Sequence, residues 1–207
     1  MEKLCKNCKY DYLNGENVSY TTNEIVFSLG QKLDSIYHIN DGYVKMVRYL
    51  ENGDEKIIGI LGPGDYLALL GVLQNKENYL ATAIAITKIV VKKISRNEVI
   101  NAYQKCDSFK ERCLNCAVTR SNLFKDYLIQ SANIDVKERV INTLKILFEK
   151  FGYIDDSQQI LDLPFSKTVL ANIIGIRRET LSRVLSKLQK EDIIWYKNNK
   201  YILKYVI

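Results

Sequence analysis

Proline and histidine are nearly missing from this sequence: two prolines and one histidine occur in 207 residues, beside a single tryptophan and ten glycines. So few prolines and glycines exclude a Pro/Gly-rich linker or a collagen-like chain. With one histidine and no visible nucleophile–base–orienter set, no enzyme is predicted. No apolar run reaches the roughly 18–20 residues of a bilayer span, which excludes an integral membrane protein. The opening Met1-Glu2-Lys3-Leu4-Cys5-Lys6 lacks an apolar signal core, and a cytoplasmic protein is expected. What is present is globular in character, with 47% hydrophobic and 26% charged residues. The length suits one or two domains that bury a core without disulfides.

The net charge of +6 is unevenly placed. Residues 164–207 carry nine Lys/Arg against Glu179, Glu191 and Asp192, whereas residues 1–163 carry 21 basic and 21 acidic side chains. Positive charge concentrated on one short folded segment is the footprint of a polyanion partner. A merely well-solvated face is the alternative that charge alone leaves open.

The first half is punctuated by Gly30, Gly42, Gly53, Gly62, Gly64 and Gly71, with short β-branched or aromatic runs between them. Strands are predicted over 35–39, 43–49, 56–61, 81–86 and 88–94, and Asn52-Gly53 predicts a two-residue hairpin turn. Together they suggest an antiparallel sandwich or barrel over about residues 15–95. His38 lies in one of these runs, as a core or surface residue. Ser95-Arg96-Asn97-Glu98 then fits a capping box. From Phe109 to Gln130 there is neither Gly nor Pro, and two stripes recur at helical spacing. One comprises Leu114, Ala117, Ser121, Phe124 and Leu128; the other Phe109, Cys113, Cys116, Leu123 and Tyr127. Such a helix buries one stripe on its own domain and offers the other to a partner chain, or else lies centrally in a monomer. A hinge at Asn133-Ile134-Asp135 leads to a helix over 136–151, stopped by Gly152.

Residues 164–196 carry the most specific signal. Ser166 caps a short helix with Val169, Leu170 and Ile173 as its buried positions, Gly175 supplies a tight turn, and a second helix starts near Arg177. That second helix buries Leu181, Val184, Leu185 and Leu188, and exposes Arg177, Arg178, Glu179, Ser182, Arg183 and Lys187. Two short helices across a Gly turn form a helix-turn-helix whose second helix enters the DNA major groove. Arg donates two hydrogen bonds to guanine, and Glu accepts from the cytosine amino group. Residues 193–196 and 201–204 read as strands around Lys197-Asn198-Asn199-Lys200, making a wing whose lysines suit phosphates.

This layout resembles the Crp/Fnr family of bacterial transcription regulators over nearly the whole chain after about residue 15, most strongly in 164–205 and next in Leu61-Gly62-Pro63-Gly64-Asp65-Tyr66. The resemblance implies an α+β fold: a jelly-roll-like antiparallel β-roll (a double-stranded β-helix) over 1–107, a dimerisation helix over 108–133 and a winged helix-turn-helix over 134–207. It implies a homodimer on a two-fold, palindromic operator in double-stranded DNA, with RNA polymerase as a further partner. Arg178, Glu179, Ser182 and Arg183 match base-reading positions. Ser166, Lys167, Thr168, Arg177, Lys187, Lys197 and Lys200 are assigned to the DNA backbone. The Glu179/Ser182/Arg183 set favours a TTGA-like half-site.

The sensory half departs from the cyclic-nucleotide binders of that family. Where they carry a Gly-Glu-Leu run and an Arg-Ser/Thr pair, this chain has Ala68-Leu69-Leu70-Gly71 and Tyr79-Leu80-Ala81. Leu69, Leu70, Gly71, Tyr79 and Ala81 therefore become an apolar candidate effector lining, and cyclic AMP is not expected as the effector. Cys5/Cys8 and Cys113/Cys116 form two C-x-x-C pairs, with Cys106 as a fifth cysteine. Their spacing leaves open zinc, an iron–sulfur cluster, a reversible disulfide and plain packing. Fnr-like relatives also place cysteines near the N-terminus, but their remaining ligand position corresponds here to about Val91. A metal- or redox-sensing regulator, and a ligand-binding β-roll without DNA binding, are the competing readings.

Overall fold

The computed structural model describes residues 13–51, 53, 55–131, 135–155, 158–197 and 200–203. Cys5 and Cys8 lie outside these residues. The chain divides into two compact units, one ending at Leu123 and the other beginning at Phe124.

The first unit is built from β1 (Gly15–Tyr20), β2 (Ile25–Phe27), β3 (Ser35–Asp41), β4 (Val44–Tyr49), β5 (Glu55–Leu61), β6 (Tyr66–Leu67), the short helix α1 (Leu69–Leu73), β7 (Thr82–Ala85) and β8 (Ile89–Ser95). Two four-stranded antiparallel sheets result, in the orders β1-β8-β3-β6 and β2-β7-β4-β5. Ile36, Ile39, Leu67, Ile89 and Val91 from the first sheet share one fully buried cluster with Val44, Ala83 and Ala85 from the second. Burial of these side chains, at roughly 25 cal/mol per Å² of apolar surface, is the main force closing the roll.

The hairpin between β4 and β5 corrects a sequence expectation. Tyr49 pairs with Glu55, so the connection spans residues 50–54 rather than the two-residue Asn52-Gly53 turn. The Gly53 N–H donates to the Leu50 carbonyl at 2.9 Å, and Gly53 takes φ +83°. A longer loop closed this way needs one left-handed residue, which glycine supplies without a Cβ clash. Asn52 lies outside the described residues.

Two helices follow, α2 (Arg96–Lys105) and α3 (Asp107–Ser131), jointed at Cys106, whose backbone is extended. The Ser95 hydroxyl accepts the Glu98 N–H at 3.2 Å, as the capping pattern predicts. On α3, Phe109 and Cys113 are buried in the roll's core, while Leu114 and Val118 are 64% and 50% exposed. Of the first stripe Leu114 and Ser121 are exposed and Ala117 is half-buried, of the second Phe109 and Cys113 are buried and Cys116 is half-buried, and the exposed Val118 belongs to neither. The side chains of Leu123, Phe124, Tyr127 and Leu128, which continue the two stripes, lie outside the description. Arg120 Nη2 donates to the Tyr66 carbonyl at 2.8 Å, tying α3 to β6.

The second unit comprises α4 (Val136–Phe151), β9 (Gly152–Asp155), β10 (Gln158–Asp162), α5 (Lys167–Ile174), α6 (Arg178–Lys190), β11 (Ile194–Lys197) and β12 (Lys200–Leu203). Helix α4 ends at Gly152, whose extended backbone leads directly into β9. The wing anticipated as two strands is a four-stranded antiparallel sheet, β11-β12-β10-β9. Strands β9 and β10 escape sequence reading because they are short and carry Gly152, Asp155 and Asp162, residue types depleted in strands. Val140 and Leu144 of α4 are fully buried, as are Leu161, Leu170, Leu181, Leu185 and Leu188. Phe151 and Phe165 meet edge to face at 5.7 Å.

Candidate nucleic-acid interface

Helix α5 starts where the sequence puts it. The Ser166 hydroxyl accepts the Val169 N–H at 3.4 Å and caps the helix. Its buried face differs from the expectation: Leu170, Ala171 and Ile174 are buried, whereas Val169 and Ile173 are only half-buried. An eight-residue helix that is apolar over most of its length gives periodicity too little contrast to choose a face. Gly175 closes the helix in the left-handed region, with φ +76° and ψ +40°. The N–H groups of Gly175 and Ile176 both donate to the Ala171 carbonyl, at 2.9 and 3.0 Å. This turn aims the chain into α6, with Arg177 at its N-cap.

Helix α6 buries Leu181, Leu185 and Leu188 completely, with Val184 half-buried. Its opposite face exposes Arg178, Glu179, Arg183, Ser186, Lys187 and Lys190, with Ser182 half-buried among them. Ser182, Arg183, Ser186, Lys187 and Lys190 line one shallow surface depression of about 460 Å³. Sequence reasoning named Ser182, Arg183 and Lys187 but missed Ser186 and Lys190, which the i, i+4 spacing from Ser182 could have found.

Two further lysines lie near α5 and β11. The Lys167 ammonium sits 4.1 Å from the Tyr196 ring centroid, and Thr168 is exposed. Lys200 is exposed, and its Nζ lies 3.3 Å from Asp162 Oδ2 on the neighbouring strand. That hydrogen bond and the Asp162 charge hold the Lys200 ammonium above its ordinary pKa. Lys197 pairs with Lys200 across the β11–β12 hairpin, and its side chain lies outside the description.

The candidate effector lining lies largely within the core. Leu69, Tyr79 and Ala81 are 3%, 3% and 5% exposed, whereas Leu70 and Gly71 are half-buried. The exposed Arg48, distant in sequence, reaches this segment from β4 and donates through Nη1 to the Leu80 carbonyl at 2.8 Å. The His38 ring lies 4.6 Å from that of Tyr66, and its Nδ1 is 3.1 Å from Asn40 Oδ1. Cys113 is buried, and Cys106 and Cys116 are half-buried. Among the described residues no three His, Cys, Asp or Glu side chains converge as a metal site. No described helix is long and apolar enough to cross a membrane.

Comparison with known proteins follows the same division. A family model described as cyclic nucleotide-binding domain matches residues 17–106, and one described as Crp-like helix-turn-helix domain matches 138–205. The transcriptional activatory protein AadR of Rhodopseudomonas palustris is 24% identical over 179 residues, covering 86% of this chain and 73% of AadR. The nitrogen fixation regulation protein FixK of Bradyrhizobium diazoefficiens is 23% identical over 180 residues, covering 87% and 74%. The solved structure of FixK2 from Bradyrhizobium japonicum shares the fold, with a TM-score of 0.81 at 20% identity, covering 93% of this chain and 94% of that one.

Proposed function

This chain belongs to the Crp/Fnr family of transcription regulators, and from that premise we propose that it acts as a homodimer on a two-fold DNA operator. The observation that carries this reading is the α5–Gly175–α6 unit, which presents Arg178, Glu179, Ser182 and Arg183 on the solvent face of one helix. An α-helix fits the major groove, where Arg and Glu side chains distinguish base pairs by their donor and acceptor patterns. The exposed Leu114 and Val118 on α3 support association with a second copy. Half-sites one helical turn apart, each TTGA-like, suit such a dimer. AadR is named a transcriptional activatory protein, and contact with RNA polymerase is proposed here on that likeness.

The effector is proposed to be something other than cyclic AMP. The burial of Leu69 and Tyr79 supports this, because neither supplies a charged donor for a phosphate. Calorimetry with millimolar cyclic AMP should show no binding heat, and a micromolar dissociation constant would overturn the proposal.

Selection from random duplexes tests the operator. A two-fold motif is the expected product; recovery of unrelated sequences would sink the proposal. Arg183→Ala should cost about 1–3 kcal/mol on the selected site and relax one base position.

A further inference from the structure

We propose that Tyr196 is a positioning residue that holds the Lys167 ammonium ready for a DNA phosphate. This inference rests on the DNA-binding reading and adds to it a residue from the wing. Lys167 is the first residue of α5, immediately after the Ser166 cap. A cation there faces the positive end of the helix dipole, so the helix itself disfavours a lysine at this place. The Tyr196 ring offsets that repulsion. Its centroid lies 4.1 Å from Lys167 Nζ, within the roughly 6 Å over which a ring face attracts a cation.

The ring is itself held in place. Tyr196 lies directly across the β11–β12 pair from Tyr201, and the two rings stack at 5.8 Å with 21° between their planes. Tyr201 is 1% exposed. A buried ring thus supports a half-buried ring, which in turn carries the ammonium.

Lys167 and Lys200 are held by different chemistry. Asp162 pairs with Lys200 and compensates its charge. An aromatic face attracts Lys167 without neutralising it, and among the described residues no carboxylate lies at ion-pair distance from Lys167. Its full charge remains available, and the helix end that repels a lysine attracts a phosphate. The side chain is also partly ordered before DNA arrives, which lowers the entropy lost on contact.

The test uses the full chain and a mixed-sequence duplex, with affinity measured across a salt series. Lys167→Ala should weaken binding and make the log–log salt slope shallower by about 1. Tyr196→Leu should weaken binding several-fold and shift the slope in the same direction, while Tyr196→Phe, which keeps the ring, should bind like wild type. The double variant should be no weaker than Lys167→Ala alone. Should Tyr196→Leu melt early, Tyr196→Met gives the same comparison without an aromatic face. Unchanged affinity and slope in the folded non-aromatic variants, or independent addition of the two losses, would overturn the proposal. A wild type that binds no duplex at low salt would overturn the DNA-binding reading itself, a distinct result.

Discussion

The rings of Phe27 and Tyr79 stack 3.9 Å apart, 14° from parallel, and the Tyr79 hydroxyl donates to the Ser35 carbonyl at 2.7 Å. A residue expected to line an effector space is thereby part of the roll's own core. Tyr79→Ala should cost about 3–5 kcal/mol, as for other large core truncations. Tyr79→Phe keeps the stack but leaves the Ser35 carbonyl without that donor, at about 1–3 kcal/mol. Urea unfolding measures both, and a near-neutral Tyr79→Ala would contradict this packing.

Alkaline pH should unfold the protein through the same kind of residue. Burial raises Tyr20 and Tyr201 to about 12 and also raises Tyr37, Tyr43 and Tyr79 above their ordinary value of 10.0. A folded-state pKa above the unfolded one gives a contribution that is complete below pH 10 and is lost as pH rises toward 12. The tyrosinate absorbance of these five residues should therefore appear together with loss of structure. Titration of all tyrosines near pH 10 in a still-folded protein would contradict the burial.

Asp162→Asn should release Lys200 for phosphates. Binding to mixed-sequence DNA should tighten, and its salt slope should steepen by about 1. A variant indistinguishable from wild type in a salt series would mean that the Lys200–Asp162 pair does not compete with DNA.

The exposed Leu114 and Val118 of α3 should govern assembly. Leu114→Lys with Val118→Lys puts two like charges at i, i+4 where a second copy is proposed to pack. Sedimentation equilibrium should then report a monomer, with affinity for a palindromic site reduced. A persistent dimer would move the interface elsewhere.

Thiol chemistry should follow burial. Cys113 is 3% exposed, whereas Cys106 and Cys116 are half-buried. Cys116 and Cys106 should react with a thiol reagent in the native protein, and Cys113 only after unfolding. Mass spectrometry of partly labelled protein reads the order, and early labelling of Cys113 would contradict its place in the core.

The parts legible in the sequence share a short range. Ser95 and Ser166 signal helix starts through bonds three residues away, and Gly175 signals a left-handed turn by lacking a Cβ. Leu181, Leu185 and Leu188 repeat at helical spacing, so the face of α6 is readable, and with it the exposed Arg178, Glu179 and Arg183. Strands β9 and β10 and the width of the β4–β5 loop are not readable, since strand existence and register depend on partners elsewhere in the chain.

By itself, then, the sequence determined a basic helix-turn-helix with a wing behind a β-rich half, because capping, turn chemistry and helical periodicity act within a few residues. Only the tertiary structure decided that Arg48 meets Leu80, that Asp162 pairs with Lys200 and that Tyr196 lies under Lys167. Each of these contacts joins residues far apart in the chain. No local rule of spacing encodes them; they exist because sheet register and core packing bring the segments together.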